Sequence, residues 1–237
     1  QFQRKYIWKE PEKKSTALLE GSAITKTLEK TYRNSFGDDG YWSDPVVVKN
    51  ALLRDYSVAF AEETKGIEPD SSPYQDDARK AFLVWEEIKL RGGKFLTKFS
   101  EMNCGPDYQP RPARGDKPCG VEYELRFNVR GLVPILGYID LLEKKRIVDW
   151  KVTKERYLNP QASFQLSLYA YGLKIPNVAL VGFCKDSGKI LIRQDKRDMK
   201  KVKVWVEYVV LSACKAVLDG LNAGFPPCNP SFNILCD

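Results

Sequence analysis

Two apolar-rich runs of strand length, 133–142 and 146–153, flank Lys144-Lys145, and this pattern of a β-hairpin limits what the chain can fold into more than any other feature. With the two lysines as the loop, Glu143 faces Arg146, Leu142 faces Ile147, and Asp140 falls opposite Asp149. Directly opposed side chains have Cβ atoms about 4.5–5.5 Å apart, so two carboxylates there repel unless a cation compensates them. The period of two puts Lys151 on the face of Asp149 and sends Val148, Trp150 and Val152 the other way, into a core. Val133, Ile135, Ile139 and Ile147 argue that these strands are covered on both sides, where a charge must be paired or metal-bound. Asp, Asp and Lys on one such face suit a divalent-cation site with an ammonium beside it. The ordinary alternative is a solvated sheet face carrying a salt bridge.

Composition removes several chemistries. The 237 residues include no histidine, which excludes His-based zinc sites, catalytic triads and imidazole general bases. Six cysteines (104, 119, 184, 214, 228 and 236) occur without a C-x-x-C pair, as expected of a reduced, intracellular protein. A net charge of +7 fits a polyanionic partner but is shared by many proteins without one. No apolar run is long enough to span a bilayer, so no membrane partner is expected. Gln1 in place of an initial Met is expected of a trimmed or partial chain.

Along the chain, the pattern predicts helices over 15–32, 45–64 and 74–91, with Gly92-Gly93 ending the third. Strands are expected at 94–99, 120–128, 133–142, 146–153, 178–184 and 190–194, and later helices at 161–172 and 202–221. Val121, Tyr123, Leu125 and Phe127 alternate cleanly with polar residues. The Pro- and Gly-rich stretch 104–118 carries Arg111 and Arg114, and the stretch 195–203 carries Lys196, Arg197, Lys200 and Lys201. Both are candidate phosphate-backbone contacts, without base-specific reading. The expected architecture is one domain over 1–237: a helical layer at 15–91, an α/β core at 94–221 and a tail at 222–237.

Taken together, Gly137-Tyr138-Ile139-Asp140, Ile147-Val148-Asp149-Trp150-Lys151-Val152-Thr153-Lys154 and Gln165-Leu166-Ser167-Leu168-Tyr169 resemble the PD-(D/E)xK nuclease superfamily, in its RecB-like exonuclease branch. The match spans about residues 137–169. It implies a mixed central β-sheet flanked by helices, a restriction-endonuclease-like core with an N-terminal helical layer. Asp140 and Asp149 would hold Mg²⁺ or Mn²⁺, with the Trp150 main-chain carbonyl as a further ligand. Lys151 would orient water or stabilise developing charge, Gln165 would position the lysine or a phosphate, and Tyr169 would pack alongside. Gly21-Ser22-Ala23-Ile24-Thr25-Lys26-Thr27-Leu28-Glu29 is similar to the branch's G-x-A-x-H-x-x-L-E helix, with Thr25 where the histidine stands. Glu29, one turn on, either supplies a compensating carboxylate or is an ordinary surface residue. Some relatives of this type carry an iron–sulfur cluster. Cys228 and Cys236 alone fall short of four thiolates, so none is expected.

The resemblance implies a metal-dependent deoxyribonuclease, most simply a RecB-like exonuclease in DNA recombination, repair or phage DNA processing, acting on single- or double-stranded DNA. Two alternatives stand beside it. One is a nuclease-fold protein that binds DNA with weak or partner-dependent cleavage. The other is an unrelated α/β binding protein in which the hairpin charges are coincidental.

Overall fold

The computed structural model describes residues 16–34, 42, 44–65, 78–102, 120–131 and 133–223. Three helices come first: α1 (Thr16–Asn34), α2 (Pro45–Thr64) and α3 (Ala78–Met102). Strands β1 (Val121–Val129), β2 (Val133–Leu142) and β3 (Ile147–Thr153) follow, then α4 (Phe164–Leu173), β4 (Asn177–Cys184), β5 (Lys189–Lys196) and α5 (Met199–Ala223). One five-stranded sheet takes the order β1-β2-β3-β4-β5. Only β3 and β4 run parallel, joined by the α4 crossover that a parallel pair requires.

The sheet is covered on both faces. Leu19, Ile24, Leu28, Leu52, Trp85 and Phe95 of the first three helices pack against Val121, Leu141, Val148, Trp150, Val181 and Phe183. On the other face Leu166 and Ala170 of α4 meet Leu125, Ile139, Leu142, Ile147, Val178 and Leu180. Helix α5 closes that side through Val202, Val206 and Val210 against Val129 and Tyr171. The mixed α/β fold, five of the six expected strands and the helical N-terminal layer therefore stand as the sequence implies.

Local chemistry sets the helix ends. Asp44 caps α2 by accepting from the Val46 and Val47 amides at 2.8 and 3.4 Å, with Pro45 in the first turn. Ser163 caps α4 through the Leu166 amide at 3.3 Å. Thr31 donates to buried Asp55 at 2.9 Å, and Arg91 grips buried Glu20 through two 2.8 Å bonds, tying α1 to α2 and α3.

One expectation is overturned. Gly92-Gly93 does not end α3, and 94–99 is helix rather than strand. Trp85, Ile88, Phe95, Leu96 and Phe99 are all buried, and their spacing continues a helical stripe through the glycines. Gly92 serves close packing instead: a Cβ there would collide with the Tyr56 ring and hydroxyl. Interhelical contact offsets the cost of about 1 kcal/mol that glycine imposes inside a helix.

Candidate active site

The β2–β3 hairpin adopts the expected register. Leu142 pairs with Ile147 and Leu141 with Val148, while the Glu143 amide donates to the Arg146 carbonyl at 2.9 Å across Lys144-Lys145. The regular pairing then stops. The next opposed positions are Asp140 and Asp149, and here the strands part like a fork. The Trp150 amide, which an intact ladder would pair with β2 backbone, donates to Asp140 Oδ2 at 2.7 Å. On an extended strand a residue's N–H and C=O point to the same side, so the Trp150 carbonyl faces the fork as well.

Side-chain facing changes at the same level. Ile139 packs under α4, but Leu141, two residues on, packs under α1–α3. In β1, Val121 and Tyr123 divide in the same way. Between them, Glu122 has φ +45°, a left-handed conformation that costs a non-glycine residue on the order of 1–3 kcal/mol. Because Val121 pairs with Leu141 and Tyr123 with Ile139, Glu122 stands across from Asp140. Three acidic residues thus occupy matching positions on three adjacent strands.

A polar chain runs from the fork into α4. Lys151 Nζ lies 2.9 Å from Asp149 Oδ2. The two form an ion pair, and no donor other than this ammonium reaches buried Oδ2. The same ammonium donates to Gln165 Oε1 at 3.2 Å, Gln165 Nε2 donates to Tyr169 Oη at 3.0 Å, and Tyr169 donates to the Tyr138 carbonyl at 2.7 Å. Gln165 and Tyr169, four apart on α4, share the face needed for this. Gly137 leaves room for the ring, since a Cβ there would approach Tyr169 Cε1 to 2.8 Å.

The electrostatics are those of too much negative charge under cover. Burial, and next the charge of Asp149, push the Asp140 pKa up to about 7, against the Trp150 amide and Lys151. Burial likewise raises Asp149, opposed by Lys151. For Lys151, burial acts downward, but the charges and hydrogen bonding of its neighbours, Asp149 foremost and then Asp140, together carry the net shift upward. Burial also raises Tyr169, which stays a phenol donor. Glu122 is raised by burial and then by Glu29, with Arg33 opposing, and its charge in turn adds to the shift of Asp140.

Among the described residues no three His, Cys, Asp or Glu side chains gather as a ready metal cage. The fork nevertheless suits a hard cation. Buried Asp149 and half-buried Asp140 lie beside one ammonium, which is the single partner of Asp149 Oδ2, and the Trp150 carbonyl lies on the side of the gap. Mg²⁺ is commonly held by one or two carboxylates while keeping several waters.

The remaining candidates separate. Thr25 is half-buried on α1, and Glu29 pairs with Arg33 at 3.1 Å while its charge acts on Glu122. Lys196, Lys200 and Lys201 are exposed. Arg197 differs from them: it is nearly buried, donates to the Pro160, Gln161 and Ser163 carbonyls and pairs with Asp195 at 3.1 Å. Its guanidinium fastens the α4 approach to β5, so it is not free for a phosphate. Arg111, Arg114, Cys228 and Cys236 lie outside the described residues. Glu122 escaped the sequence reading because its importance depends on β1–β2 register, and its only local signal is membership of an alternating strand.

No family model matches the chain, and no curated protein matches it. Among solved structures it is similar to one described as "Crystal structure of SSO0001", at 15% identity and a TM-score of 0.30, covering 80% of this chain and 83% of that one. A likeness at this level carries no argument about fold or activity.

Proposed function

We propose that this chain is a divalent-metal-dependent deoxyribonuclease of the RecB-like PD-(D/E)xK type. The observation that carries the reading is the fork at Asp140 and Asp149, with Lys151, Gln165 and Tyr169 joined to it in one hydrogen-bonded chain. Asp140, Asp149 and the Trp150 carbonyl would hold Mg²⁺ or Mn²⁺. Such an ion, when bound, polarises a phosphodiester and acidifies water at its side.

The protein's own groups do the rest. Asp140 must be ionised to serve, so the positive charge that draws its proton off is part of its function. Lys151 is still 44% exposed despite its ion pair, so its ammonium can reach a phosphate oxygen and stabilise charge developing there. Gln165 fixes the direction of that ammonium: its amide oxygen accepts from Lys151 while its nitrogen is committed to Tyr169. Tyr169 anchors the chain to the Tyr138 carbonyl, a β2 group beside the opened ladder. Gln165 and Tyr169 are positioning residues; Lys151 is the group that touches substrate.

The second reading is a nuclease-fold protein that binds DNA and cuts weakly or only with a partner. The observation favouring it is that, among the described residues, no three acidic side chains gather as a metal cage: Glu29 is tied to Arg33, and Glu122 stands across from Asp140 without completing one. No helix among those residues is long and apolar enough to cross a membrane.

End-labelled single- and double-stranded DNA, incubated with Mg²⁺, Mn²⁺ or chelator, tests the proposal. Metal-dependent cleavage that is lost in Asp149→Ala and Lys151→Ala supports it. DNA binding without cleavage under any metal favours the second reading.

A further inference from the structure

The first turns of α5 expose a stripe that the hairpin site does not use. Val204 and Tyr208 are each 71% exposed and Trp205 is 38% exposed; with Lys200 and Lys201 they line one open depression. The spacing of 201, 204, 205 and 208 sets them on one helix face, opposite the buried Val202, Val206 and Val210. Large aromatic side chains seldom stand this exposed without a partner for their rings.

Their surroundings say which kind. Lys200 and Lys201 are exposed beside the stripe, and Lys196 is exposed at the end of β5 just before α5. The nearby acids already have partners: Asp198 caps α5 by accepting from the Lys200 and Lys201 amides, and Glu207 is held by Arg130 and Tyr171. Rings flanked by exposed ammonium groups match a ligand with π-faces on a phosphate chain. A paired duplex keeps its base faces stacked inside, whereas a single strand offers them.

The patch is also coupled to the fork by adjacent residues. Phe164 packs edge-to-face on Trp205, with centroids 5.1 Å apart and planes at 83°. Its neighbour Gln165 holds Lys151. One turn of α4 therefore touches the aromatic stripe with one side chain and the fork with the next.

We infer that Trp205 and Tyr208, with Lys200 and Lys201, form a stacking platform for single-stranded DNA, which leads an unpaired strand towards the α4 side of the fork. This deepens the nuclease reading, and rests on it for the strand's destination. A base stacked on an exposed ring and tethered by lysines is recognised without regard to sequence. The platform therefore selects strandedness.

The test is fluorescence anisotropy with labelled oligo(dT) of about 20 nucleotides and a duplex of equal length, in chelator so that nothing is cut. Trp205→Ala and Tyr208→Ala should each weaken oligo(dT) binding by about tenfold or more, and Trp205→Phe should recover much of the loss. Duplex affinity should change by less than about twofold, since only phosphate contacts remain there. Tyr208 is so exposed that its variant tests the idea even if Trp205→Ala misfolds. Unchanged oligo(dT) binding overturns the inference, as does equal loss on both DNAs. So does a change in sedimentation with DNA binding intact, which would mark a contact with a second copy. Separately, if the wild-type chain cleaves nothing with Mg²⁺ or Mn²⁺ while the ring variants lose single-strand binding, the nuclease reading falls and the platform stands.

Discussion

At half-buried Asp140 and buried Asp149, two carboxylates face a single ammonium, and this imbalance ties the protein's stability to pH. Because the Asp140 pKa is raised in the fold from 3.8 to about 7, the folded state binds more protons than the unfolded state between those limits. Stability without metal is accordingly full below the unfolded value and falls as pH rises through about 7. The penalty at higher pH is on the order of 4 kcal/mol at most, because each tenfold change in proton affinity is worth about 1.4 kcal/mol. Asp140→Asn keeps an acceptor for the Trp150 amide and removes the charge, so it should raise the melting temperature in chelator at pH 8. The same change should make little difference at pH 4. A variant no more stable than wild type at pH 8 would mean that Asp140 is not under this strain.

The hairpin was legible in the sequence because Lys144-Lys145 fixes its register and a period of two fixes its faces. Its opening one pair later was not, since a ladder that gives way to a side-chain acceptor looks locally like any strand. The length of helix α3 is hidden for a related reason. Two glycines resemble a stop, and only the position of Tyr56 on α2 explains Gly92. The pair offers its own check. Gly92→Ala should destabilise, by about 1–3 kcal/mol of overpacking against Tyr56. Gly93→Ala meets only Leu53 Cδ2 at an ordinary 3.6 Å and should stabilise by up to about 1 kcal/mol. Chemical denaturation of the two variants measures both signs; matching signs would mean that α3 and α2 are not packed as described.

For the whole molecule, one covered sheet places the fork, the α4 crossover and the α5 lysines on neighbouring elements. Most elements followed from periodicity and the layered α/β arrangement from the family resemblance, but the division of labour among the basic residues followed from neither. Arg197 and Lys200 look alike in sequence, yet one is bonded into the chain and the other stands exposed. Simultaneous charge reversal of Lys196, Lys200 and Lys201 should weaken DNA binding across all sequences and flatten its dependence on salt concentration. An unaltered salt slope would put the phosphate path elsewhere.

Metal binding by the fork is the claim on which the rest depends. Calorimetric titration with Mn²⁺ near pH 6.5, in two buffers of different ionisation enthalpy, measures both affinity and the protons released. One Mn²⁺ site per chain is expected, with release of part of a proton from Asp140, and loss of both signals in Asp149→Ala. Absence of binding at millimolar Mn²⁺, or binding that persists undiminished in Asp149→Ala, would contradict the assignment of Asp140 and Asp149 as a metal site.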